Sequence, residues 1–122
     1  MIKLDLSNFN TEKVENMQGM FSKCYSLKLL DVSNFNTEKV TNMIEMFFEC
    51  KSLQSLDLKS FNIKNVNQML GIFADCENLI KIDLSNFDTK HLNKINWLFS
   101  GCDKLKKYNV TTKDERILKT FN

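Results

Sequence analysis

Two columns of residues hold most of the chemistry available to this sequence. Cys24, Cys50, Cys76 and Cys102 recur every 26 residues, and Asp5, Asp31, Asp57 and Asp83 recur at the same interval. Four thiols could ligate zinc or pair as disulfides, and a stack of carboxylates could hold a divalent cation. Zinc needs ligands that converge on one ion, whereas one Cys per repeat sets the thiols in a line, about 5 Å apart if each repeat adds one strand. Each Cys also ends an apolar stripe, where a free thiol behaves as a small buried hydrophobe. Buried thiols are the favoured reading, with neighbour disulfides such as Cys24–Cys50 as the alternative and a metal site behind both.

The aspartates would stack as like charges one strand apart, which is unfavourable without compensation. Calcium could supply it, but a calcium site wants several converging oxygens rather than one column. Lys3, Lys81 and Lys107 stand two residues away on the same face, with Ser7, Ser33 and Ser85 on the other side, so ion pairs and hydrogen bonds can suffice. His91 has no Cys or second His near it at ligand spacing and reads as an exposed helix residue. A Ser-His-Asp arrangement and a glycine-rich phosphate loop are both missing, and the chain has three glycines in all. No catalytic, metal or cofactor-binding residue is therefore assigned, and the expected role is not enzymatic.

Composition narrows the partners. A formal charge of +2 over 122 residues, with Lys and Asp/Glu evenly mixed, leaves no basic stripe for nucleic acid. No apolar run approaches the length of a membrane span, so direct membrane insertion of this segment is not expected. The N-terminus MIKLDLSN lacks the pattern of a secretory leader. Met1 falls in the column of Leu27, Leu53 and Leu79, so the chain opens in mid-repeat and reads as a piece of a longer array.

The elements that must position these columns follow from the repeat itself. Leu27 to Ser52 is written four times with variations, and the phenylalanines keep the same period in two columns, Phe9, Phe35, Phe61, Phe87 and Phe21, Phe47, Phe73, Phe99. A constant period in this range marks units that cannot bury their own apolar face and must stack. Each unit opens with a short strand phrase, such as Lys28-Leu29-Leu30-Asp31-Val32. Period two points Leu30 and Val32 inward and Asp31 outward. A polar Ser-Asn-Phe-Asn-Thr turn follows. Val40, Met43, Met46, Phe47, Cys50 and Leu53 are then spaced as the apolar stripe of a helix about three turns long. Met17, Met20, Met43, Met46 and Met69 are its core fillers.

Strand, turn, helix and return predict a right-handed solenoid of the α/β class, with a parallel strand ladder on one face and helices on the other. Leu27-x-x-Leu30-x-Val32 resembles the opening of a leucine-rich repeat, although Phe35 stands where the ladder asparagine is usual and Asn34 lies one place earlier. The whole unit, LDLSNFNTEKVxNMxxMFxxCxSL, is similar over about residues 1 to 110 to the repeat of BspA-like bacterial surface proteins, which also occurs in mycoplasma-type lipoproteins. That resemblance implies a cell-surface or secreted adhesion and binding module that contacts a protein or other surface macromolecule.

Four repeats over 1–104 and a closing segment over 105–122 are expected. LKKYNV, from Leu105 to Val110, continues the strand phrase with Tyr108 and Asn109 in the Leu and Asp columns. Thr112-Lys113-Asp114-Glu115 reads as a capping box opening a short helix, with Ile117, Leu118 and Phe121 covering the end of the core. At the other end, Leu4, Leu6 and Phe9 form an uncapped edge suited to self-association.

Two surfaces are candidates for binding. The first is the strand face, Lys3, Asp5, Leu29, Asp31, Ser55, Asp57, Lys81 and Asp83, where the variable column Lys3, Leu29, Ser55, Lys81 would set ligand choice. The second is an apolar patch on the outer side of the helices, Ile44, Phe48, Leu70 and Trp97, offered to a partner or to a second copy. The competing reading of the patch is that these groups tuck sideways between helices. The alternative role for the whole segment is a spacer or self-association element of a longer array.

Overall fold

The computed structural model describes residues 2–121; Met1, expected in the Leu27 column, lies outside the described residues. Five short strands appear in chain order: β1 (Ile2–Lys3), β2 (Leu27–Leu29), β3 (Ser55–Asp57), β4 (Lys81–Asp83) and β5 (Val110–Thr111). All pairings are parallel, in two groups, β1-β2 and β3-β4-β5. A 3-10 turn at Lys107–Asn109 and one α-helix, α1 (Glu115–Lys119), complete the elements. The strand face is thus two ladders, with no pairing between β2 and β3.

The expected repeat helices are not formed. The stretches that follow Val14, Val40, Val66 and Leu92 are successions of tight turns. Their alternate N–H groups bond inside the unit, as in Met46 to the Met43 carbonyl and Cys50 to the Phe47 carbonyl. The others reach forward into the next unit: Met43, Glu45, Phe47 and Glu49 donate to the carbonyls of Gln68, Leu70, Ile72 and Ala74 at 2.8 to 3.1 Å. A helix spends every interior N–H on its own carbonyl four residues back. Here half of them are spent on the neighbour, and the helix is lost while Val40, Met43, Met46, Phe47, Cys50 and Leu53 all keep their inward positions. Two residues per unit take positive φ, at 19 and 23, 45 and 49, 71 and 75, and 97 and 101. Each is the third residue of a four-residue turn of the kind that favours glycine, yet only Gly19, Gly71 and Gly101 are glycines.

This turn ladder runs through all four units and crosses the gap between β2 and β3. Inside it, Phe21, Phe47, Phe73 and Phe99 stack with ring centroids 5.6 to 5.7 Å apart. Phe35 and Phe61 form a second stack at 6.2 Å. Met17, Met43, Met46 and Met69 are buried with them, but Met20 is exposed, since no unit in the structure lies on its outer side. Leu4 and Phe9 are exposed for the same reason, whereas Leu6 is buried.

The last strand is displaced by two residues from its expected phase. Ile82 pairs with Val110 and Asp83 with Thr111, so Val110 and Thr111, not Tyr108 and Asn109, fill the Leu and Asp columns. The 3-10 turn absorbs the extra residues and leaves Tyr108 exposed. Burying Val110 instead of Tyr108 spares the phenol a partner it would need in the core. The N-cap of α1 is likewise Asp114 rather than Thr112. Asp114 Oδ1 accepts from the N–H of Arg116 and Ile117, while Thr112 Oγ1 accepts from the N–H of Asp114.

Candidate binding face

Each column aspartate is first a turn-former. Asp5, Asp31, Asp57 and Asp83 accept, through Oδ1, the N–H of Ser7, Ser33, Lys59 and Ser85 at 2.9 to 3.0 Å. The side chain stands in for a carbonyl and closes the loop after the strand. The hydroxyl and N–H of Ser7 hold the Asp5 carboxyl below its usual 3.8, and Ser33 does the same for Asp31. Serine compensation of the column is therefore real. Lysine compensation is partly as expected: the charge of Lys3 also lowers Asp5 and Asp31, though without a direct ion pair, Lys81 and Lys107 make none among the described residues, and Lys59 pairs with Asp57 at 3.6 Å.

The structure divides the proposed strand face. Ser55, Asp57, Lys81 and Asp83 come together with Asn109 and Thr111 around a depression of about 400 Å³. Asp31 lines a neighbouring one of about 630 Å³, shared with Asp57 and Lys59. Lys3, Asp5 and Leu29 border neither; Leu29 is an exposed apolar side chain on the β1-β2 ladder. Asp57 and Asp83 are directly opposite in register, and each keeps one carboxylate oxygen outside its turn bond. The depression can thus offer carboxylate acceptors and the Lys81 ammonium side by side to a polar ligand.

The apolar patch is brought together in part. Ile44, Leu70 and Trp97 line one depression of about 400 Å³ with Glu45, Gly71, Ala74 and Ser100, and Phe48 is outside it. Ile44, Phe48 and Leu70 are half-buried, and Trp97 is 65% exposed.

All four cysteines are free, and three point backward to the preceding unit: Cys50, Cys76 and Cys102 donate Sγ–H to the carbonyls of Phe21, Phe47 and Phe73 at 3.0 to 3.2 Å. The thiol at Cys102 lowers the Cys76 value, but Cys50 and burial outweigh it and push Cys76 up to about 12. Among the described residues no group of His, Cys, Asp or Glu could hold a metal ion.

Several residues that join the units were not legible as such. Thr11 and Thr37 are buried, and each both donates to and accepts from the main chain of the next unit, at Asn36 and Asn62. Asn34 donates to the carbonyls of Leu6 and Phe9, and Ser60 to that of Val32. His91 is exposed but outside any helix, and its Nε2 lies 2.9 and 3.0 Å from the carbonyls of Val66 and Ile63. The polar columns at a constant period were the signal, since a residue that bridges units must recur with them.

These features define a protein built of recurring units joined by parallel main-chain pairing. The chain belongs to the family described as Mycoplasma protein of unknown function, DUF285, whose profile matches residues 1–112. No curated protein and no solved structure matches it.

Proposed function

We propose that the chain is a non-catalytic binding module: a leucine-rich-repeat-like solenoid segment of a BspA-like bacterial surface protein, displayed outside the cell as part of a longer polypeptide. Its partner is a protein or other surface macromolecule rather than nucleic acid, the segment does not insert directly into a membrane, and no cofactor takes part. The observation that carries the reading is the polar depression formed by Ser55, Asp57, Lys81 and Asp83, where side chains from successive units converge on a regular face. Lys81 there has no ion-pair partner among the described residues. Repeat arrays bind along such extended surfaces because each unit contributes one row.

The test is binding of the fluorescently labelled chain to intact host and neighbouring cells, beside a variant carrying Asp57→Ala and Lys81→Glu. The variant should retain its fold and lose about tenfold in affinity, the scale of one or two charged hydrogen bonds. Equal binding by both proteins would remove the strand face from consideration.

The grouping of Ile44, Leu70 and Trp97 favours a second reading, self-association within an array. Molar mass across a concentration series, under reducing conditions, separates the two. A mass that rises with concentration and returns to the monomer value in Leu70→Ser supports self-association through the patch.

A further inference from the structure

We propose that the notch between the last turn segment and α1 docks an acidic peptide segment of a partner protein, whose carbonyls add one more row to the turn ladder. The inference concerns a different surface from the strand face and stands independently of it.

The ladder is polar. In the first three units the N–H groups of Gly19, Phe21 and Lys23, then Glu45, Phe47 and Glu49, then Gly71, Phe73 and Asp75, all donate forward to carbonyls 25 residues on. The equivalent groups of the fourth unit are Trp97, Phe99 and Gly101, and their N–H groups have no acceptor among the described residues. Trp97 and Phe99 border a cavity of about 570 Å³, walled on one side by the Lys94 to Ser100 segment and on the other by Arg116, Thr120 and Phe121, while Gly101 lies outside its lining. An open row of unpaired N–H groups is a template for main-chain pairing by a further segment.

The spacing selects the ligand. In the units below, the acceptors of this row are alternate carbonyls such as Asn96, Leu98 and Ser100. A peptide that takes the same succession of turns presents acceptors at alternate residues with this spacing, whereas a single phosphate presents them around one point. A whole stacking unit is excluded because α1 already covers the apolar part of the end, with Phe121 on Phe99 at 5.1 Å. Charge then chooses among peptides: Lys94 and Arg116 line the notch, no Asp or Glu does, and Lys94 makes no ion pair among the described residues.

The test uses the isotope-labelled full chain, titrated with a blocked peptide of alternating threonine and glutamate and followed by amide shifts, hydrogen exchange and the fluorescence of Trp97, the sole tryptophan. The amides of Trp97, Phe99 and Gly101 should shift and exchange about tenfold more slowly, while those of Gly71, Phe73 and Asp75, already bonded, stay unchanged. The matching threonine-lysine peptide should bind several-fold more weakly, and Lys94→Glu should narrow that preference. Thr120→Trp, which fills the notch without removing a ladder N–H, should abolish binding. The proposal is overturned if the amides do not respond at millimolar peptide, if both peptides bind alike, or if the amides become protected with protein concentration alone, which would make the occupant a second copy.

Discussion

Phe121 lies against Phe99 with ring centroids 5.1 Å apart, closer than any pair within the aromatic column it completes. A residue of the closing segment supplies the ring that a further unit would otherwise bring. Ile117, fully buried, anchors the same segment, and Arg116 donates to the carbonyls of Thr89 and Leu92. Phe121→Ala should destabilise the chain by about 2 kcal/mol, less than a fully buried aromatic truncation because the ring is only part-buried. The urea midpoint measures it. A change within error would show that the stack needs no terminal ring.

Thr37 joins two units by one hydroxyl that donates to the Asn62 carbonyl and accepts the Asn62 N–H. Thr37→Val keeps the volume and strips both bonds, leaving the part-buried main-chain groups of Asn62 unpaired at a cost of about 2 kcal/mol. The third unit carries Ile63 in this column, also buried. Ile63→Val, which removes one methylene and no hydrogen bond, should cost only about 1 kcal/mol. Denaturant unfolding of the two variants side by side distinguishes hydrogen bonding from simple packing.

Asp114 closes the C-terminal segment twice, capping α1 through Oδ1 and accepting the N–H and hydroxyl of Thr89 through Oδ2 at 2.7 Å. Burial alone would raise its carboxyl value, but the bonds from Thr89, Ile117 and Arg116 outweigh it and hold the value below 3.8. A carboxyl lowered in the folded state contributes stability that is present above about its unfolded value and is lost as pH falls through the folded one. Asp114→Asn turns one acceptor into a donor facing Thr89. It should cost about 2 kcal/mol at neutral pH and flatten the loss of stability as pH falls below about 4. Thermal melts across that range give the answer.

Thiol reactivity should follow the end of the stack. Cys24 is half-buried with its value raised by burial, while Cys50, Cys76 and Cys102 are buried and bonded backward. A maleimide at neutral pH should add first at Cys24, and the others should react only on unfolding. Cys76, pushed up to about 12 from 9.0, keeps its proton in the folded state where the unfolded chain has lost it. Stability is therefore complete below about pH 9 and falls as pH rises toward 12, by up to about 1.4 kcal/mol per pH unit for that thiol. A Cys76→Ala variant with a shallower alkaline limb would agree; an unchanged limb would not.

The sequence by itself determined the period, the number of units, the inward columns of Phe, Met and Cys, and the outward Asp row. Each of these is a property of residue type and spacing, and a stack of equivalent units preserves both. The tertiary structure alone decided whether Met43, Met46, Phe47 and Cys50 lie on a helix or on successive turns. Steps of three and four place residues on one side in either case, and the choice turns on whether the N–H of Glu45 or Phe47 bonds within its own unit or reaches Leu70 or Ile72 in the next. It also decided that Val110 and not Tyr108 continues the core, because the phase of β5 is set by pairing with β4. The same reason separates the binding surfaces: Asp57 and Asp83 share a depression because β3 and β4 pair, whereas Lys3 and Leu29 stand apart on a ladder that does not extend to them.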